Sequence, residues 1–340
     1  MRILFSAILV GACGPRDIQV LGDGRHDLTA PLRADRIEVM PEAVVYLGPG
    51  ATLEATEDLR LAGTIEGLPS AGPITLTAGQ DLWVLGKVAA GTGIGDQPGE
   101  DLKLVAGRDL VVRGVARGGD GSDGSNVEAQ LPPAGTGSAG GSIDAEAGRD
   151  LIVSGVLTGG KGGVGGDSTW FADTEEVTAL SGSGGRGGEV RLRPTRRLAV
   201  AGAATGGAGG AAGTARSRGL TAASAVGKPG DGGDVVLART PSTVEVPGTI
   251  RGGDSGMLGT GVSFADGQTG ASVIRSPSSA AGQRVDLPGE DGRNAGANAA
   301  WARIPDMPRD ALEAVERTSR STPMATASAA PIVVVPVDSE

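Results

Sequence analysis

Aromatic side chains are scarce: three Phe, three Trp and one Tyr in 340 residues. A globular core of this length is ordinarily filled with rings and long aliphatics, and seven rings do not fill one. Cysteine and histidine occur once each, as Cys13 and His26, so no intrachain disulfide can form and no Cys/His metal site can assemble. No block of five Lys or Arg occurs and the net charge is −10, which argues against a nucleic-acid partner. Uninterrupted apolar runs stay well short of the ~18 residues that a transmembrane helix needs. Collagen is excluded because no strict Gly-x-y register runs through the glycines. Disorder throughout is disfavoured by a hydrophobic content of 39%.

Glycine is what the chain has in excess, 61 of 340 residues, against a usual ~7%. Much of it recurs at fixed offsets from a repeated motif, D-L-x-V-x-G. The motif is carried by DLRLAG, DLWVLG, DLVVRG, DLIVSG, RLAVAG and TVEVPG, anchored on Leu59, Leu82, Leu110, Leu151, Leu198 and Val244. Four residues after each anchor stands Gly63, Gly86, Gly114, Gly155, Gly202 or Gly248, which reads as a corner at positive φ. Six and eight residues before the anchors lie apolar pairs: Ala51/Leu53, Ile74/Leu76, Leu102/Leu104, Ile143/Ala145, Val190/Leu192 and Val236/Ala238. Apolar residues two apart mean strands with one face inward. The linking Ala-Thr or Ala-Gly (Ala55-Thr56, Ala78-Gly79, Ala106-Gly107, Ala147-Gly148) reads as a second tight corner.

The anchors are 23, 28, 41, 47 and 46 residues apart. An interval of 23 residues with three short strands is the size of one rung of a right-handed parallel β-helix. The expected fold is therefore all-β: a right-handed parallel β-helical solenoid of about eight rungs, with Gly-rich loop insertions along one edge and a short C-terminal helix over 308–319. Ile37 marks an earlier rung and Val285 a late one. The expected organisation is a signal peptide over 1–12, an N-terminal linker or cap over 13–34, the β-helix over 35–290, a C-terminal cap over 291–320 and a flexible tail over 321–340. Within that tail Ile332 to Val335 has the composition of an added edge strand.

The opening residues MRILFSAILVGAC combine Arg2, a short apolar run and the only cysteine. Leu9-Val10-Gly11-Ala12-Cys13 resembles the lipobox of bacterial lipoproteins. The resemblance implies cleavage before Cys13, a lipid on its thiol with palmitate among the acyl groups, and, with Gly14 next, the outer membrane. In its repeat the chain resembles β-helical adhesins and surface proteins, and in rung size pectate-lyase-like enzymes, at the level of architecture.

The extra residues of the long intervals follow glycine pairs eight and nine residues after the anchor: Gly118-Gly119, Gly159-Gly160, Gly206-Gly207 and Gly252-Gly253. Loops leaving at one corner line up along one edge, the default functional face, with their glycine runs serving as hinges and fillings. In the insertion from Lys161 to Arg186, Trp170 and Phe171 are two adjacent aromatics. They read either as a sugar-stacking or partner-contact site or as a cover for the outward column Trp83, Val111, Ile152 and Ala199. The outward charges Lys103, Asp144, Glu146, Arg191 and Arg193 alternate in sign as a cross-strand ladder does, while an enzyme could use the same groups as a polysaccharide lyase. GGDGSDGSN resembles the first six places of a calcium-binding nonapeptide, which would make Asp120 and Asp123 the ligands, but it occurs once and has Ser125 in place of the large apolar residue, so no metal or other cofactor is expected. Asp58, Asp81, Asp109 and Asp150 read as a stacked turn column, and His26 as a surface residue outside the repeats. These readings converge on a non-enzymatic envelope lipoprotein that binds a glycan or another envelope protein through its loops. A polysaccharide lyase or hydrolase and a purely structural surface protein are the alternatives.

Overall fold

The computed structural model describes residues 17–128, 133–171, 177–218 and 222–257, and the short strands at 262–263, 273–276 and 333–336. The described chain is all-β, without a helix, and its strands pair in parallel. The expected helix at 308–319, the rung at Val285 and Cys13 lie outside the described residues.

Three rows of strands carry the core. The second row holds the sequence anchors: Ile18–Leu21, the later half of Leu32–Val39, the later half of Leu53–Leu61, Leu82–Val84, Leu110–Val112, Asp150–Val153, Arg197–Val200 and Thr243–Glu245. Leu59 pairs with Leu82, Leu82 with Leu110, Leu110 with Leu151, Leu151 with Leu198, and Leu198 with Val244, as the motif alignment predicts. The first row comprises the earlier halves of the same two long strands, then Ile74–Ala78, Leu102–Ala106, Ile143–Ala147, Val190–Pro194 and Val235–Leu237. Because Leu32–Val39 and Leu53–Leu61 run through both rows, the two form one curled 13-stranded sheet. The third row is an 8-stranded sheet: Gly24–Leu28, Ala43–Leu47, Thr64–Gly67, Lys87–Ala89, Val115–Arg117, Val156–Thr158, Ala203–Thr205 and Thr249–Arg251.

One register expectation fails. Val190 pairs with Val235 and Leu192 with Leu237, so the inward pair of that strand is Val235/Leu237 and not Val236/Ala238. The returning chain is one residue shorter there than the motif alignment assumes, and a one-residue slip exchanges the two faces of a strand.

The core is a single aliphatic cluster of Leu, Val, Ile and Ala. Its third-row members Ile65, Val88, Ala116, Leu157, Ala204 and Ile250 stand six residues after the anchors. Each buried aliphatic contributes roughly 1.5–3 kcal/mol, while each ordered residue costs about 1–2 kcal/mol of backbone entropy, so stability comes only from stacked layers. At the N-terminal end His26 pairs with Val45 and Gln19 with Ile37, which places polar residues at inward positions of the outermost layer. His26 is thus part of the third row, half-buried, with Nε2 2.7 Å from the carbonyl oxygen of Gly22. At the other end Val273–Ser276 pairs with Val333–Pro336, so the Val333 to Val335 run forms a strand.

The corner glycines are required for a different reason from the one expected. Positive φ occurs at Gly24, Gly50, Gly72, Gly95 and Ser70 among the described residues, and not at the glycines that follow the anchors. A Cβ on Gly86, Gly114, Gly155, Gly202 or Gly248 would instead overlap the carbonyl oxygen of the equivalent glycine one layer earlier. The second corner behaves alike, since a Cβ on Gly107 or Gly148 would overlap the oxygen of Gly79 or Gly107.

Candidate functional site

The insertions leave the third row and return to the first. Their outgoing legs are 118–126, 159–167, 206–214 and 252–257, and their returning legs are 134–142, 181–189 and 227–234. Each leg repeats every three residues. The N–H groups of Gly118, Gly121 and Gly124 donate to the oxygens of Thr158, Lys161 and Val164, and those of Gly159, Gly162 and Gly165 donate to Thr205, Ala208 and Ala211. The second residue of each triplet bonds across to the antiparallel legs: Gly160, Gly163 and Gly166 donate to Gly141, Ser138 and Gly135, and accept from Gly188, Gly185 and Gly182. Three residues per turn with bonding between chains is how glycine-rich extended helices of the polyproline II kind associate. The glycines are therefore not hinges. They build a plate in which the legs hold one another.

The third residue of each outgoing triplet faces outward, and in the first two layers, where it is Asp or Asn, its side chain serves the next layer. Asp120, Asp123 and Asn126 accept the N–H groups of Lys161, Val164 and Asp167 at 2.7–2.8 Å, and Asp167 accepts that of Thr214 at 2.7 Å. Arg117 also donates twice to the Asp120 carboxylate, at 2.6 and 2.7 Å. The carboxylates of the calcium-like nonapeptide are thus engaged in backbone capping. No group of three or more His, Cys, Asp or Glu side chains is placed to hold a metal ion among the described residues.

Both ends of the plate are marked in the chain. A Cβ on Gly163, Gly166 or Gly185 would overlap the oxygen of Ser122, Ser125 or Ser138 in the layer before. The first layer has no earlier insertion of equal length beneath it, and serine stands at these three positions. Ser122 Oγ lies 3.0 Å from Gln97 O and 3.0 Å from Ser138 Oγ. In the third returning leg Pro229 takes the place of Gly184 and has no N–H to offer onward.

Beyond the legs the insertions continue as two small parallel sheets. One contains Val127–Glu128, Ser168–Phe171 and Ala215–Arg218, the other Val177–Leu180, Ala222–Val226 and Val262–Ser263. Ala179, Ala212 and Ala215 form a small buried cluster there. Trp170 pairs with Ser217 and Phe171 with Arg218, so the backbone of the aromatic pair belongs to this distal sheet and not to the row of Trp83, Val111, Ile152 and Ala199.

The outward charges of the first row come together as a ladder. Lys103, Asp144 and Arg191 are in register, Arg193 lies 3.0 Å from Asp144, Arg239 3.2 Å from Glu146, and Arg191 2.9 Å from Glu189. Burial pushes the Asp144 carboxyl above the ordinary aspartate range, opposed by Arg193, Lys103 and Arg191. The aspartate column is stacked as well. Asp81, Asp109 and Asp150 each donate a backbone N–H to the carboxylate of the aspartate one layer earlier, at 3.2–3.3 Å. Arg108, Arg149 and Arg196 each donate two bonds to Asp81, Asp109 and Asp150 in turn. The hydrogen bond to Asp81 raises the Arg108 guanidinium still further. The apolar motif does not include these arginines, whose own signal in the sequence is GRDL twice and TRRL once.

No described helix is long and apolar enough to cross a membrane. No protein-family model matches the chain, and neither a curated protein sequence nor a solved structure does.

Proposed function

We propose that the chain is a non-enzymatic envelope lipoprotein in which a right-handed parallel β-helix supports a rigid glycine plate, and that the far end of the plate binds a glycan or another envelope protein. In this reading the three rows are the walls of the helix, because each link between neighbouring strands of a row is a parallel crossover and such crossovers are right-handed. The thiol of Cys13 carries the lipid, a palmitate-containing group of the outer-membrane type, and the lipid is the membrane attachment. Trp170 and Phe171 supply the contact surface.

The observation that carries the proposal is the hydrogen bonding of the legs through to the distal sheets. A flexible loop would lose much of its contact energy in becoming ordered, whereas a preformed arm does not. The charged groups of the first row neutralise one another in pairs, which suits a structural ladder better than turnover. The test is retention of the purified chain on envelope polysaccharide and on immobilised envelope protein, beside Trp170→Ala/Phe171→Ala. Retention that falls at least tenfold with unchanged thermal unfolding is expected, and equal retention of the two proteins would overturn the assignment.

A further inference from the structure

We infer that the N-terminal end of the stack rests on the membrane that carries the Cys13 lipid, with Ile18 and Val20 seated at the boundary between headgroups and acyl chains. The inference rests on the lipid-anchor reading above and adds to it a contact made by the folded chain itself.

Ile18 and Val20 alternate with Gln19 and Leu21, whose register partners Ile37 and Val39 are buried in the core, so the two branched side chains point outward. They are 53% and 54% exposed. Their strand is the outermost of its row and pairs on one side only, with Leu32–Val39. An edge strand is ordinarily blunted by charge. In this chain the charges stand one layer further in. Ile18 is in register with Arg36 and Val20 with Glu38, and those two are engaged with Glu57 and Arg60 at 2.9 and 3.6 Å. Met40 adds an exposed apolar side chain in that second layer, where its N–H donates to the oxygen of Leu21.

Two further observations decide what this apolar rim meets. In the lipid-anchor reading Cys13 begins the mature chain, and only Gly14, Pro15 and Arg16 separate it from Asp17. The five residue steps from Cys13 to Ile18 span at most ~18 Å, so this end is held at the bilayer surface whatever path the connection takes. The end is also polar where a further protein layer would need it apolar. Gln19 and His26 hold inward positions of the outermost layer, and the free side of Ile18–Leu21 pairs with no described strand. An aliphatic layer placed on these groups would bury them without partners, whereas water and lipid headgroups satisfy them. The same open edge confines the contact to the interface, because hydrocarbon would strip it of hydrogen bonds.

Charge is not the source of the attraction. Residues 17–28 contain Asp17, Asp23 and Asp27 against Arg25, and Glu42 is exposed in the next layer. Asp17 accepts from the Gln19 amide at 3.0 Å and Asp27 from Arg25 at 2.9 Å. With no excess of cations, this end suits the apolar boundary of any bilayer and not anionic headgroups in particular. The first long insertion leaves four layers further along, about 19 Å away at ~4.8 Å per layer, which lifts the glycine plate clear of the headgroups.

The lipidated full chain in phosphatidylcholine vesicles, with and without phosphatidylglycerol, tests the inference. Val20→Cys and Val156→Cys are each labelled with nitrobenzoxadiazole, while the acylated Cys13 takes no label. Val156 is an outward side chain of the third row, 37% exposed and five layers further along than Gly24–Leu28. Dithionite is expected to reduce the label at position 20 at least ~5-fold more slowly than the label at position 156, with either lipid composition. Amide exchange over Ile18–Leu21 is expected to be at least ~5-fold slower on vesicles than in the soluble Cys13→Ser chain. Ile18→Ser/Val20→Ser should abolish that difference without changing thermal unfolding. Equal dithionite rates at the two positions in vesicle-bound, lipidated protein overturn the inference and leave the anchor reading standing. Protection that appears only with phosphatidylglycerol overturns it as well, since the attraction would then be to charge. If mass spectrometry finds no acyl group on Cys13 and Cys13→Ser still fractionates with membranes, both readings fall together. Should Val20→Cys fail to fold, Ile18→Cys carries the label in its place, and amide exchange of the native chain decides alongside it.

Discussion

At the scale of single residues, glycine in this protein is a statement about the space between chains. Gly207 is an instance: a Cβ there would overlap the oxygen of Gly160, while its own N–H donates to Gly188. Gly207→Ala is therefore expected to cost about 1–3 kcal/mol, as overpacking does. Lys161→Ala, at an outward third position, should stay within about 0.5 kcal/mol of the parent. Urea unfolding read by amide exchange in the insertions separates the two. Asp144 supplies a pH-dependent counterpart. Its folded carboxyl is raised by burial, so the native state holds the proton more tightly than the unfolded chain does. The ionised carboxylate accordingly weakens folding above the folded value, and this penalty disappears as the pH falls below the ordinary aspartate range. Relative to Asp144→Asn, the parent should gain stability on acidification from neutrality through the interval just above that range. Denaturant midpoints of the two proteins across that interval, taken as a difference, cancel the other carboxylates.

At the scale of elements, the corners of the second row are held by side chains that bridge layers. The Asp109 carboxylate accepts from the Arg149 guanidinium and from the N–H of Asp150, which ties two consecutive layers together. Asp109→Ala leaves the guanidinium and the N–H without that acceptor and is expected to cost about 1–2 kcal/mol, held to the lower range by partial exposure. Asp109→Asn keeps an acceptor and should cost less, so the ordering of the two in chemical denaturation checks the role. The column itself was legible in the sequence because Asp recurs one residue before the anchors. The arginines that complete it stand two residues before the anchors, in GRDL twice and TRRL once, where apolar spacing carries no signal for them. The insertions show the same contrast. Their exit points are legible in the glycine pairs, but glycine composition alone does not separate a hinge from the three-residue period that the legs follow. A period of three has no buried apolar face to announce it, and its bonds run to other legs of the same insertion and of the neighbouring ones, not to residues near in sequence.

At the scale of the whole molecule, the proposed anchor and the plate divide the work, and the anchor is separately testable. Cys13→Ser is expected to move the protein from the membrane fraction to the soluble one, and continued membrane fractionation of that variant would falsify the lipid assignment. The sequence by itself determined that the described residues are all-β, which residues stack as anchors, and where the insertions depart, because strand alternation and repeat spacing are local and survive without coordinates. It also singled out Trp170 and Phe171 by composition. Tertiary structure alone decided three further matters: that the corner glycines answer to a neighbouring carbonyl and not to a left-handed backbone, that the glycine runs form a hydrogen-bonded plate, and that the strand Ser168–Phe171 pairs with Ala215–Arg218. Each of these depends on which chain segment lies within a few ångströms of another, and register between segments distant in the chain is set by packing and hydrogen bonding across layers.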